Sequence, residues 1–126
     1  MSKYIDGFVL VVPKDKVEEY TKMATEGRDS WMKYGALQYF ECKGHDLATD
    51  EMGGVKSLGF TELAKANADE TVWFSFIVFE SKAHRDEVNA KVMAEMGEKY
   101  NEATDVVMTF DMQRMSRGGF SVEVEG

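Results

Sequence analysis

Three polar side chains stand where an apolar strand has little use for them. Asp6 interrupts the β-branched and aromatic run of residues 4–12, Ser75 interrupts the run of residues 71–80, and Arg114 lies in the run that ends the chain. A buried polar group is costly unless it is hydrogen-bonded, and a buried charge more so. These positions are therefore either satisfied by each other or turned toward a ligand. If the first strand lies between the other two, Asp6 and Arg114 can pair across neighbours, with Ser75 on the other side. Facing one interior, the three make the polar spot of an otherwise apolar small-molecule pocket. The plainer readings are a buried ion pair that fixes strand register and Asp6 capping a turn before Gly7.

His84 follows Ser81 and precedes Arg85 at the start of an amphipathic segment. A histidine beside a cavity can serve as a general base. Without an orienting acid and oxyanion donors, however, a Ser-His pair is a weak catalytic signal, and packing on the helix or capping its first turn explains the residue as well. Asp6, Ser75, Arg114 and His84 are the candidate ligand-binding residues. Cys42, His45, Asp46 and Asp50 have a C-x-x-H spacing followed by carboxylates, but a zinc site ordinarily brings a second cysteine or histidine pair, and the only other histidine is His84. No metal and no cofactor is expected. Gly53-Gly54 and Gly118-Gly119 fit neither GxGxxG nor P-loop spacing, so nucleotide binding has no support. They predict a loop turn and a bulge or bend in the final strand. The nine methionines read as ordinary core filling.

The elements that must position these residues follow from hydrophobic periodicity. Residues 4–12 form a strand apolar on both sides, stopped by Pro13. Over residues 14–34, Val17, Tyr20, Ala24, Gly27, Trp31 and Tyr34 recur at helical spacing, with Gly35 placed as a C-terminal cap. A second strand is predicted over residues 36–43. The glycine-rich, acidic stretch 44–70 is long for a plain loop and predicts a short strand or turn near 55–60 and a helical turn near 62–66. Residues 71–80 are the clearest strand. Ser81 offers an N-cap for a second helix over residues 82–96, with Val88, Val92 and Met96 on its core stripe and Gly97 ending it. A further short helix over 98–105, an extended start at 106–108, and a last strand over 110–117 and 120–124 broken at Gly118-Gly119 complete the reading.

Composition bounds what such a chain can do. Its 126 residues, 44% hydrophobic and 30% charged, suit one domain, 1–126, with a core of its own. A formal net charge of −8, from 23 acidic and 15 basic residues, repels phosphate backbones and anionic lipid, so neither nucleic acid nor membrane is an expected partner. One cysteine precludes an internal disulfide and suits a reducing compartment. No basic start followed by a long apolar run marks a signal peptide, and no apolar stretch reaches the roughly 18 residues of a membrane span. The expected location is cytoplasmic.

The order strand, helix, strand, strand, helix, strand is the split βαβ arrangement of α+β, ferredoxin-like domains: a four-stranded antiparallel sheet, in spatial order last, first, third, second, with two helices on one face. The first and third strands are apolar on both faces, so the uncovered face predicts a homodimer in which two sheets meet as a dimeric α/β barrel. Several motifs point the same way. Residues 4–10 (YIDGFVL) with Val12-Pro13-Lys14-Asp15-Lys16, Gly35-Ala36-Leu37 with Glu41-Cys42, Asp69-Glu70-Thr71-Val72 with Phe74-Ser75, residues 81–86 (SKAHRD) with 88–93 (VNAKVM), and Phe110-Asp111, Arg114-Met115 and Gly118-Gly119-Phe120 occur in order. In this the chain resembles the YbaA-like domain-of-unknown-function family (family 1428) over nearly its whole length, departing at residues 53–63 and 97–108. The resemblance implies a dimeric α/β barrel and no particular activity.

Three functions fit these expectations: a homodimer with a small-molecule pocket in a sheet-side cavity; a cofactor-independent monooxygenase- or isomerase-like enzyme in the same cavity, with Asp6 or His84 as its acid–base group; and a protein-interaction module with a filled interior. A hollow interior favours the first two.

Overall fold

The computed structural model describes residues 2–100 and 109–126. Strand β1 (Tyr4–Pro13) leads through a short 3-10 turn (Lys14–Lys16) into helix α1 (Val17–Lys33). After β2 (Gln38–Lys43) come a small hairpin, β3 (Glu51–Met52) and β4 (Val55–Lys56), and the single turn α2 (Phe60–Leu63). Strand β5 (Glu70–Phe79), helix α3 (Lys82–Tyr100) and strand β6 (Ser116–Ser121) follow. The fold is α+β, and its main sheet is four-stranded and antiparallel, in the order β2-β5-β1-β6.

The two long strands sit at the centre. β1 and β5 pair along their whole length, from Tyr4 opposite Phe79 to Pro13 opposite Glu70. Because side chains alternate between faces, one register fixes both surfaces. Leu10, Val12 and Trp73 meet Tyr20 and Ala24 of α1 in one buried cluster. Ile77 and Phe79 meet Val88 and Val92 of α3, together with Ala36, in a second. Phe8 packs against both clusters. Both long helices thus lie on one face, over opposite ends of the central strands. The other face carries Val9, Val11, Phe74 and Phe76 of the central strands and Phe40 of β2.

Local chemistry accounts for the helix ends. Gly35 takes φ 113°, the left-handed conformation of a helix C-cap, while its N–H donates to the Met32 carbonyl and that of Ala36 to the Trp31 carbonyl. These are the paired bonds of a Schellman motif. Ser81 Oγ accepts from the His84 N–H at 3.1 Å, the N-cap expected for α3. Gly53 and Gly54, both at positive φ, turn the β3–β4 hairpin.

Three expectations are corrected. Gly97 does not end the second long helix, which continues to Tyr100. A single glycine costs a helix only about 1 kcal/mol, less than adjoining turns supply. The final strand is not broken at Gly118-Gly119; these glycines pair with Gly7 and Asp6 inside β6. Gly119 is there for close approach, since a Cβ on it would overlap the Tyr4 ring. The preceding residues, expected to be extended, instead form a 3-10 turn (Met112–Arg114), capped where Asp111 Oδ1 accepts from the Gln113 N–H at 2.9 Å. The short helix expected over 98–105 and the extended start at 106–108 fall, beyond Tyr100, outside the described residues.

Phe79 is fully buried at the centre of the second cluster. Phe79→Ala is expected to lower unfolding free energy by about 3–5 kcal/mol, and Ser81→Ala by about 1 kcal/mol. Urea denaturation of the two variants checks the ranking; equal losses would contradict the placement of Phe79 in the core.

Candidate functional site

Between the two core clusters the helices stand away from the sheet, and a cavity of about 620 Å³ opens there. Its floor is the helix-facing side of the sheet, including Phe8, Ser75, Ile77, Tyr39 and Glu41. Tyr20, Gly27 and Trp31 of α1 form one wall, and Asn89, Met93 and Met96 of α3 the other. Met23, Met112 and Met115 also line it, so five of the nine methionines surround the cavity, three of them, Met23, Met96 and Met115, packing against the core clusters as well. Flexible thioethers give such a wall an adaptable shape.

Two polar groups are built into this lining. The first centres on Asp6, which accepts from Arg85 Nη1 at 2.5 Å and from Asn89 Nδ2 at 3.1 Å. Asn89 Oδ1 in turn accepts from Trp31 Nε1 at 2.9 Å, and the Arg85 guanidinium lies 4.8 Å from the centre of the Tyr4 ring. Both charges of the ion pair are largely buried, and each has hydrogen-bond partners beyond the other.

The second centres on Glu41. Its Oε1 accepts from the Tyr39 hydroxyl at 2.8 Å, and its Oε2 accepts from the Tyr20 hydroxyl at 2.9 Å and from the Ser75 hydroxyl. Strand alternation puts Tyr39 and Glu41 on the same face of β2, and register puts Glu41 directly opposite Ser75. Helix α1 delivers Tyr20 from above, and Gly27 leaves room for the Tyr39 hydroxyl, which a Cβ there would meet at 3.1 Å. Burial, reinforced by the Glu41 charge, pushes both tyrosines well above their ordinary value of 10.0.

Of the sequence-predicted residues, Asp6 and Ser75 line this cavity; Arg114 and His84 do not. The expected Asp6–Arg114 pair is replaced by Asp6–Arg85. β6 begins only at Ser116, opposite Val9, so Arg114 lies toward the far end of β1 while Asp6 faces Gly119. There Arg114 grips Glu70 through Nη1 at 2.5 Å and Nη2 at 3.0 Å, also reaches the Lys65 carbonyl, and its hydrogen bonds hold the Glu70 carboxyl below the usual carboxylate range. His84 Nδ1 accepts from the Glu80 N–H at 3.0 Å, and its ring packs edge-on against Phe79. The cavity also lies on the helix-covered face rather than between facing sheets, because alternation turns Asp6 and Ser75 toward the helices. Cys42 is exposed on β2, and among the described residues no group of three or more histidine, cysteine or acidic side chains is arranged to hold a metal ion.

Glu41, Tyr20, Tyr39 and Asn89 are not among the site residues expected from sequence. The signal for Glu41 was present: a carboxylate two residues after a tyrosine in a strand shares that tyrosine's face.

The fold and cavity define an α+β protein with a four-stranded sheet, its two long helices on one face and a polar-floored cavity beneath them. The chain belongs to the family described as "Protein of unknown function (DUF1428)", whose model matches residues 3–112. It is 40% identical over 119 residues to the uncharacterized protein YbaA of Escherichia coli (strain K12), covering 94% of each chain, and equally to that of Shigella flexneri. A solved Bacillus cereus protein related to NIF3 aligns with all of this chain and 28% of its own, at 14% identity and a TM-score of 0.34, too slight a likeness to guide interpretation. No described helix is long and apolar enough to cross a membrane.

The raised tyrosine values set a direction for pH. A group whose folded value lies above its unfolded value stabilises the fold below the unfolded value and loses that contribution as pH rises. Tyr20 and Tyr39 should therefore stay silent in ultraviolet tyrosinate titration near pH 10.0, while stability falls by up to about 1.4 kcal/mol per pH unit for each above that point. The double variant Tyr20→Phe/Tyr39→Phe should flatten this alkaline slope; an unchanged slope would refute the assignment.

Proposed function

We propose that the protein is a cytoplasmic homodimer of the dimeric α/β-barrel kind, ferredoxin-like in each half, and that each copy binds a small, largely apolar molecule in the cavity between its sheet and helices. The observation that carries the binding reading is the cavity itself. An apolar space lined by aromatic rings and methionines, with convergent polar groups fixed on its floor, is how a small-ligand site is built.

The same geometry favours binding over acid–base catalysis by the residues first considered for it. Asp6 is committed to Arg85 and Asn89, and His84 is engaged outside the cavity. Tyr20 and Tyr39 have spent their protons on Glu41 and remain protonated far above neutrality.

The homodimer reading rests on the open face of the sheet. Phe40 stacks on Phe76 at 4.8 Å, Phe74 lies beside Phe76, and Phe60 of α2 packs against Phe74. Phe40 and Phe74 remain 42% and 46% exposed. Apart from Glu70 at the start of β5, which is paired with Arg114, the side chains that β1, β2 and β5 turn to this face, from Ile5 and Val9 to Phe76 and Val78, carry no charge. A second copy presents an identical apolar surface, so self-association needs no partner of different chemistry. Burying the remaining exposed half of each phenylalanine contributes about 1 kcal/mol.

Sedimentation velocity at micromolar concentration should give twice the chain mass for the wild type. Phe74→Asp, which places a charge on an exposed position, should weaken association at least about 10-fold. A wild-type monomer would overturn the dimer. For the cavity, naphthalene-sized compounds with different head groups serve as probes. At about 100 times its dissociation constant a bound probe adds about 2.7 kcal/mol of stability, and Met93→Trp, which fills the cavity from its exposed rim, should abolish the thermal shift. Absence of any stabilising probe, or a shift that survives Met93→Trp, would overturn the binding reading.

A further inference from the structure

Resting on that cavity reading, we propose that the ligand carries a protonated amine on its apolar body and delivers it to the Glu41 carboxylate.

The argument is one of donors and acceptors. A hydroxyl has a single hydrogen to give. Tyr20 and Ser75 give theirs to Glu41 Oε2, and Tyr39 gives its own to Oε1. Each carboxylate oxygen offers two acceptor sites, so Oε2 is filled and Oε1 keeps one open. What the hydroxyl oxygens have left are also lone pairs. This part of the floor can therefore only accept, and it selects a ligand that donates.

Charge narrows the donor further. Among the described residues no lysine, arginine or histidine lies in ion-pair contact with Glu41. Asp6 is already matched by Arg85, and Asn89 gives an amide hydrogen to Asp6 while its oxygen accepts from Trp31. Of the other charged groups in the lining, Glu95 pairs with Lys33, while Glu26 and Arg117 are exposed. A half-buried carboxylate with hydrogen bonds but no counter-charge is complementary to a cation. An anionic head would have to turn away from Glu41 to the exposed Arg117 at the rim.

The test is a matched series on one body: naphthylmethylamine, naphthylmethanol, methylnaphthalene and naphthoate, ranked by calorimetry and thermal shift on the full chain. A hydrogen bond to a charged group predicts that the amine binds about 10- to 100-fold tighter than methylnaphthalene, with the alcohol between them. Glu41→Gln should flatten that ranking. Tyr39→Phe, which frees a further acceptor site on Oε1, should keep the amine preference and guards against a Glu41 variant that fails to fold. If the series binds without preference for the amine, the amine proposal falls while the cavity reading stands. If naphthoate binds tightest and Arg117→Gln abolishes its advantage, the ligand is read at the rim and the proposal is likewise overturned. If no member binds, both readings fail together.

Discussion

The pairing of β1 with β5 along ten residues each sets the parity of every side chain in the sheet. Once Phe8 lies opposite Ser75, Asp6, Leu10, Trp73 and Ile77 must face the helices, while Val9, Phe74 and Phe76 must face away. A slip by one residue would exchange the two sets. It would bury Phe74 under the helices and leave the Asp6 carboxylate on the bare face, far from Arg85. The apolar content of both strands makes each face demand cover, and among the described residues the long helices cover only one.

The covered face is not filled. α1 and α3 each seal one end of the central strands, and the gap between them is retained although dense packing would stabilise the fold. What stands around the gap is polar chemistry arranged in two different ways. Asp6 and Arg85 neutralise each other and tie α3 to the sheet, with Asn89 and Trp31 extending the tie to α1. Among the described residues Glu41 is held by hydroxyls alone. The first arrangement is complete in itself, as structural ion pairs are. The second satisfies geometry without satisfying charge, and so it stands apart from a purely structural network.

Much of the scaffold was legible because it is written locally. Pro13, Gly35 and Ser81 mark ends with a mechanism that needs no distant partner, and the helical spacing from Val17 to Tyr34 identified the buried face of α1. What stayed hidden depends on three dimensions. Asp6 and Ser75 were recognisable as misfits, but which face they take depends on register, and the identity of the partner depends on the rotation of α3. Arg114 looked like a neighbour of Asp6 because both belong near paired strands; the turn at Met112–Arg114 delays β6 and separates them. Gly118-Gly119 looked like a break because the need for space comes from Tyr4, distant in the chain.

Glu41 shows most clearly why the site was harder to read than the fold. A carboxylate in a six-residue strand at the sheet edge is unremarkable in sequence, since edge strands commonly carry charge to discourage stray pairing. Its role appears only when β5 supplies Ser75 from across the ladder and α1 supplies Tyr20 from above. Each donor is ordinary where it stands: a helix-face tyrosine, a strand tyrosine and a serine in a greasy strand. Together they hold the side chain by both oxygens, so its charge stays aimed into the cavity rather than swinging out to water. A polar group fixed in this way costs little reorganisation when a complementary donor arrives, and that preorganisation gives an otherwise apolar cavity the capacity to discriminate between ligands.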